Sequence, residues 1–275
     1  MIDDRNFLQT TAERAALWTE LDPMKVPAKY PCAIGADIGS ATLLSAYQHG
    51  LFPLPTVDSE QIQINATLYT DFISSGHIQL LPTSHSLGPY ATTWWLPQER
   101  LVISNGKVRL RRQLQRHLRN KLSWTTTANT AFESVVAACR QNRTSEWITA
   151  DLVDSLVELH DRGWAHSIEV WDSSELIGGI FGIAFGKVFS LDSTFHRRSG
   201  AGSVAYAELV RRTAATSVSL IDLQWPSDYM IELGGRSMDC ATYKGIMNVS
   251  SAPVRLSTDV RLASDLAPAQ LDTRN

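Results

Sequence analysis

The stretch from Gly163 to Phe195 constrains the fold more than any other part of the chain. His166 to Trp171 alternates apolar and polar residues, Asp172 to Glu175 is a short polar break, and Leu176 to Ala184 is almost wholly apolar with glycines at 178, 179 and 182. A tight turn at Phe185-Gly186-Lys187 leads into a third run, Val188 to Phe195. Three apolar strands joined by polar turns make a sheet covered on both faces, hence the middle of a core. The glycines leave side-chain room, which suits a bulge or a ligand lying against the backbone. At 275 residues the chain has length for one large domain or two small ones.

After the third strand comes Arg197-Arg198-Ser199-Gly200-Ala201-Gly202, then a helical stretch from about Val204 to Thr213. A glycine-rich turn feeding a helix start presents free backbone N–H groups and the positive helix end, which together cradle phosphate. The spacing R-x-x-G-x-G after a strand is similar to the pyrophosphate loop of the acetyltransferase superfamily called GNAT. Such a turn also occurs with no ligand, so the motif alone leaves both readings open.

Composition narrows the class. Apolar content of 44% and charged content of 19% describe a globular chain. Met1 to Glu20 carries Asp3, Asp4, Arg5, Glu13 and Arg14, and no apolar run is long enough to cross a bilayer. A cytoplasmic protein without a membrane partner is expected. Cys32, Cys139 and Cys240 are isolated, which suits buried small residues in a reducing compartment rather than disulfides or a metal site.

The net charge of −3 hides one strong imbalance. Between Glu99 and Glu133 there is no acidic residue, while Lys107, Arg109, Arg111, Arg112, Arg116, Arg119 and Lys121 are all basic. Leu110, Leu114, Leu118 and Leu122 recur every four residues, so the spacing predicts an amphipathic helix with a basic outer face. A solvated surface helix is the plain alternative, but the lack of counter-charges fits a surface that meets a polyanion.

Along the chain, Thr10 or Thr11 is placed to cap a helix over Ala12 to Leu21, and Ser40 a helix over Ala41 to His49 that ends at Gly50. Residues 54 to 93 show no clean periodicity and read as an inserted hairpin or lid. Strands are expected at Leu101 to Ile103, Ser123 to Thr127 and Ser217 to Gln224. Helices are expected at Phe132 to Arg140, capped by Asn129 or Thr130, at Asp151 to Asp161, capped by Thr149, and at 228 to 235. The last stretch, about 250 to 275, reads as a poorly ordered tail.

Several blocks then add up to a resemblance. Gly35-Ala-Asp-Ile, Leu43-Leu-Ser-Ala-Tyr47 and Gly50-Leu-Phe-Pro53 resemble the G-G-D-L, L-L-x-A-Y and G-I-F-P of the leucyl/phenylalanyl-tRNA–protein transferases. Trp94-Trp95-Leu-Pro97, the basic run Leu114 to Arg119, Trp147-Ile148, Ile221-Asp-Leu-Gln224 and Leu233-Gly-Gly235 are similar to further blocks of that family. Leu159-His160 with Gly163-Trp-Ala-His-Ser-Ile-Glu-Val-Trp171 resembles L-H-x-x-G-x-A-H-S-V-E-V-W, the most specific of them. The likeness spans roughly residues 30 to 248.

The resemblance implies an α+β fold. A GNAT-like domain over 123–250, a mixed central sheet flanked by helices, would follow a smaller N-terminal α/β domain over 1–122 and precede a tail over 251–275. It implies peptide-bond formation between a tRNA-borne amino acid and a free α-amine, with no cofactor and no metal. Asp222, Gln224 and Asp192 would orient and polarise the reacting groups. Trp147, with Leu54, Thr194, Gly178 and Gly179, would form the aminoacyl and adenosine pocket. Arg112, Arg116, Arg119, Lys121, Arg197 and Arg198 would track phosphates of the 3′ end and acceptor stem. Asp222 and Gln224, two apart on a strand, would face the same side. His166 and Glu169 would at minimum form a buried pair.

The chain also departs from the family's pattern. Leu54 stands where the pattern has a tryptophan, Asp192 a glutamate, Thr194 a methionine, Ser203 a lysine and Tyr229 a histidine. Asp239-Cys240 replaces its P-R, and the interval 54 to 93 carries an insertion. These departures point toward a small or peptidyl amine acceptor, as in natural-product assembly, and toward a donor smaller than Leu or Phe. The alternatives are the parent activity on basic protein N-termini, acyl-CoA-dependent N-acylation, and a catalytically inactive tRNA-binding relative.

Overall fold

The computed structural model describes residues 4–104, 108, 110–141, 146–247 and 252–267. The chain begins α1 (Asp4–Arg14), β1 (Ala33–Gly35), α2 (Ser40–Gln48), β2 (Phe52–Pro55), α3 (Ser59–Ser74), β3 (Gln79–Leu81) and β4 (Thr92–Trp95). It continues with β5 (Glu99–Ser104), α4 (Arg112–Asn120), β6 (Trp124–Ala128), α5 (Phe132–Arg140), α6 (Ala150–Asp161), β7 (Ala165–Asp172), β8 (Glu175–Phe185) and β9 (Val188–His196). Last come α7 (Ala201–Thr213), β10 (Leu220–Asp222), α8 (Asp228–Glu232), β11 (Arg236–Asp239), α9 (Cys240–Ile246) and β12 (Arg261–Leu262).

The strands form two sheets, β2-β4-β1-β3 and β11-β5-β10-β9-β8-β7-β6-β12. Neighbours are antiparallel except β1 with β3 and β9 with β10. This is an α+β fold. The strand β5 and helix α4, placed by sequence with the N-terminal part, belong to the large sheet and its packing.

The three central strands are covered on both faces. Phe181, Ile183 and Phe185 of β8 join the apolar cluster that includes α5, whereas Ile180 and Ala184 join the cluster that includes α7. The glycines serve this packing rather than a ligand, which corrects their assignment to the aminoacyl pocket. A Cβ on Gly178 would lie 2.7 Å from the Cβ of Ala201 on α7, and one on Gly179 about 3.0 Å from Val135 on α5. Gly182 stands at a β-bulge, where its Cβ would meet the Ser190 carbonyl oxygen.

Four local expectations change. The first helix starts at Asp4, and Thr11 Oγ1 donates back to the Phe7 carbonyl at 2.9 Å instead of capping. Ser40 lies inside α2 and donates to Glu158 Oε2 at 2.7 Å, while Thr149 does cap α6 through the Leu152 N–H. The interval 54–93 is neither hairpin nor lid: α3 carries the chain to β3, which pairs parallel with β1. Its inward face includes Asn65, which donates to the Tyr90 carbonyl, and Tyr69, while Ile64 and Leu68 face solvent, and this blurs the apolar period.

The described residues 252–267 are not a loose tail. Val254, Leu256, Ala263 and Ala267 are buried, and β12 extends the large sheet beyond β6. Arg212, fully buried against Glu208, donates to the backbone carbonyls of Ser257 and Asp259. A single helical turn at Ala263–Leu266 then packs on α4 and α7. Carbonyls taken up by a distant guanidinium leave no periodic trace in sequence. Among the described residues no helix is long and apolar enough to cross a membrane.

Candidate active site

The bulge in β9 sets one carboxylate apart. Phe181 pairs with Ser193 and Gly182 with Leu191, so Asp192 has no partner on β8 and its side chain swings out of the ladder. It enters a cavity of about 170 Å³ lined by Tyr47, Phe52, Pro53, Leu54, Trp147, Asp192, Gln224 and Trp225. The Tyr47 hydroxyl donates to Asp192 Oδ1 at 2.7 Å, and Gln224 Nε2 donates to the same oxygen at 2.9 Å. Oδ2 receives no protein hydrogen bond among the described residues.

Burial pushes the Asp192 carboxyl up to about 7, against the pull of the Tyr47 and Gln224 hydrogen bonds, and the nearby Asp222 charge adds to the rise. A carboxylate poised there can gain or lose a proton near neutrality.

Asp222 lies beneath this cavity, not in it. It is fully buried, and Oδ2 accepts from Arg100 and, at 2.9 Å, from the Tyr243 hydroxyl. Oδ1 accepts from the Gln224 N–H at 2.8 Å, which holds Gln224 at φ +62° and turns its amide back toward Asp192. The strand stops at Asp222, so the expected same-side pairing of 222 and 224 does not occur. Arg100 also donates to the Gly50 carbonyl and lies over the Tyr243 ring at 4.3 Å. Gly50 closes α2, which carries Tyr47, so Arg100 ties together the two elements that present donors to Asp192.

Leu54, Trp147, Asp192 and Gln224 therefore meet at one cavity. The aromatic surface expected to be lacking at Leu54 is supplied there by Trp225, edge-on to Phe52 and Trp95 at 5.4 and 5.3 Å. Tyr47, Arg100, Tyr243 and Trp225 were not singled out from sequence. Tyr47 and Trp225 each adjoin or lie in a quoted block, whereas nothing local marks Arg100. His166 and Glu169 are not a pair: His166 Nδ1 meets Asn129, and Glu169 accepts from Thr127 and Ser167. Burial holds the His166 imidazole down at about 4, hence neutral.

Thr194 faces a second, larger cavity of about 880 Å³ between α4 and the start of α7, with Arg197 on its wall. Gly200, at φ +91°, takes the left-handed turn into α7 and packs against Leu114 of α4. Arg112, Arg116 and Lys121 are exposed and Arg119 is half-buried on α4. Lys107 and Arg109 lie outside the described residues. Arg198, expected to meet RNA phosphate, is ion-paired with Asp172 and, at 2.6 Å, with Glu175. Among the described residues no cluster of His, Cys, Asp and Glu is arranged to hold a metal ion.

Residues 102–248 match the family model described as leucyl/phenylalanyl-tRNA protein transferase. A leucyl/phenylalanyl-tRNA–protein transferase of Pseudomonas fluorescens (strain SBW25) is 32% identical over 78% of this chain and 82% of its own length. One from Xanthomonas axonopodis pv. citri (strain 306) is 33% identical over 77% and 74%, and one from Shewanella pealeana is 32% identical over 75% of each. Solved structures are more remote. A conserved protein of unknown function from Bacteroides thetaiotaomicron aligns over 90% of this chain and 96% of its own at 10% identity and TM-score 0.38, too distant to argue the fold from. The chain belongs to the leucyl/phenylalanyl-tRNA–protein transferase family, and is an aminoacyltransferase whose donor is an aminoacyl-tRNA.

Proposed function

We propose that the protein transfers an aminoacyl group, leucyl or phenylalanyl as in the names of its relatives, from tRNA to the N-terminal α-amine of a protein. The observation that carries this reading is the Asp192 carboxylate, poised near neutrality beside Trp147 and Trp225 with Oδ2 facing the cavity. The relatives favour a protein acceptor over the small-molecule acceptor expected from the departures at 194, 203 and 229. The GNAT-like frame is part of the same proposal. It is supported by the connection β9–α7–β10, in which parallel strands pair only to Ser190 and Asp222 and β9 then runs on without a neighbour on that edge.

In this mechanism the terminal adenine stacks against the tryptophans of the cavity. The acceptor nitrogen attacks the ester carbonyl carbon, and the bond from that carbon to the ribose oxygen breaks. Asp192 Oδ2 takes a proton from the attacking amine, and that proton passes to the departing ribose oxygen, so the carboxylate is regenerated. Tyr47 and Gln224 fix the carboxylate through Oδ1, and Asp222 positions Gln224. Because the ester is already activated, positioning supplies most of the rate. The test is incubation with labelled aminoacyl-tRNA and an acceptor peptide, and separately with labelled acetyl-CoA. RNase-sensitive, ATP-independent label on the peptide is expected; label arriving only from acetyl-CoA would overturn the reading.

A further inference from the structure

The basic helix α4 does not set its own geometry. It has nine residues, its N-cap residue Arg111 makes no capping side-chain bond, and Arg116 stands one turn from both Arg112 and Arg119. A helix that short is marginal alone, and like charges three and four residues apart weaken it further. What it packs against therefore decides where its cations point. Leu118 is buried, and Leu114 and Leu122 pack into the same apolar cluster as Ala263, Leu266 and Ala267. Among the described elements none packs more closely against α4 than the helical turn Ala263–Leu266. The basic helix is seated on the last described segment of the chain.

That segment is pinned from α7. Glu208, fully buried, pairs with Arg212 at 2.7 Å, with Arg211 at 2.8 Å and with Arg261 on β12 at 3.7 Å. Arg212 donates to the carbonyls of Ser257 and Asp259 and, at 3.3 Å, to that of Thr126 on β6, so one guanidinium joins the segment to the sheet. Arg211 reaches Asp265, inside the turn, at 3.7 Å. These contacts fall at 257, 259, 261 and 265, all on the approach to the turn or within it. The segment lies beyond the residues 102–248 that match the family model, and no residue of it lines the cavity of Asp192. A buried ion pair adds little net stability, because both charges give up water, so stability alone does not account for charges in this core.

We infer that Glu208, Arg211 and Arg212 are positioning residues for the tRNA: through the segment 257–266 they seat α4 so that Arg112 and Arg116 meet phosphates together. The inference rests on the reading of α4 as the face that meets RNA. Two donors test it, full leucyl- or phenylalanyl-tRNA and the same amino acid esterified to adenosine alone, which carries no stem phosphates. Arg212→Met and, at the seat itself, Leu266→Ala are expected to raise KM for the full tRNA about three- to thirtyfold with kcat little changed. They should lower the slope of log K for tRNA against log salt by about 1, and leave kcat/KM for the nucleoside ester within about twofold. Equal losses on both donors with an unchanged salt slope would overturn the inference, since the segment would then only support the fold. A wild-type KM for tRNA in both variants would overturn it too. Arg112→Ala/Arg116→Ala separates that failure from failure of the underlying reading. If it alone raises the tRNA KM, α4 meets RNA but is not seated by the segment; if none of the three variants does, both fall. Should Arg212→Met fail to fold, Leu266→Ala decides alone.

Discussion

The floor of the active site and the cavity above it hold the same chemical group in opposite surroundings. Asp222, in the floor, has three donors arranged around its two oxygens and no exposure at all. Asp192, in the cavity, has two donors on one oxygen and, among the described residues, none on the other. The difference teaches how one small site divides labour. A charge satisfied on every side fixes geometry, and a charge left partly unsatisfied remains free to react. The comparison breaks most readily at the floor. Asp222→Ala leaves Arg100 buried without its partner and is expected to cost about 3–5 kcal/mol of folding stability, read from the denaturant midpoint. Asp192→Asn retains an acceptor for both Tyr47 and Gln224, so its midpoint should hardly move while turnover falls by about 10²–10⁴. If the two variants lost stability equally, the division between floor and cavity would be wrong.

The proton balance sharpens the same contrast. Asp192 is raised to about 7, so it is largely protonated below that pH and cannot take a proton from the amine. The rate should therefore climb as pH rises through about 7, beside a second rise from the acceptor's own α-amine near pH 8. Asp192→Asn should erase the first rise and keep the second. Tyr47→Phe removes a donor that favours the charged carboxylate, so the first rise should move to higher pH, with a loss at pH 7 of about tenfold or less. A profile that stays put in Tyr47→Phe would mean that the 2.7 Å contact does not tune the carboxylate.

Much of this was legible because the central strands announce themselves. Phe181, Ile183 and Phe185 against Ile180 and Ala184 write both covered faces into one run of sequence. The Gly-rich turn into α7 and the basic helix α4 were equally local, and so were found. What escaped depends on contacts between distant segments. Arg100 gains its meaning only when β5 lies beside β10, and Trp225 only when it comes around beside Trp147. The bulge that frees Asp192 is a mismatch between two strands, invisible in either alone. The last segment was misread because its order rests on Arg212 and Glu208, two buried charges inside a helix whose apolar pattern hides them.

The smallest expected effects lie outside the cavity, where two sets of arginines again differ only in their neighbours. Arg112 and Arg116 project from α4, and the segment around them has no acidic residue between Glu99 and Glu133. Replacing both with alanine should weaken tRNA binding and lower the slope of log K against log salt by about 1–2 if each meets a phosphate. Arg198 is already held by Asp172 and Glu175 and stands 47% exposed. Arg198→Gln should leave the salt slope alone and change stability by less than about 1 kcal/mol, since solvent screens an ion pair so placed. A salt slope that fell with Arg198→Gln and not with Arg112→Ala/Arg116→Ala would move the RNA path from α4 to the rim of β8.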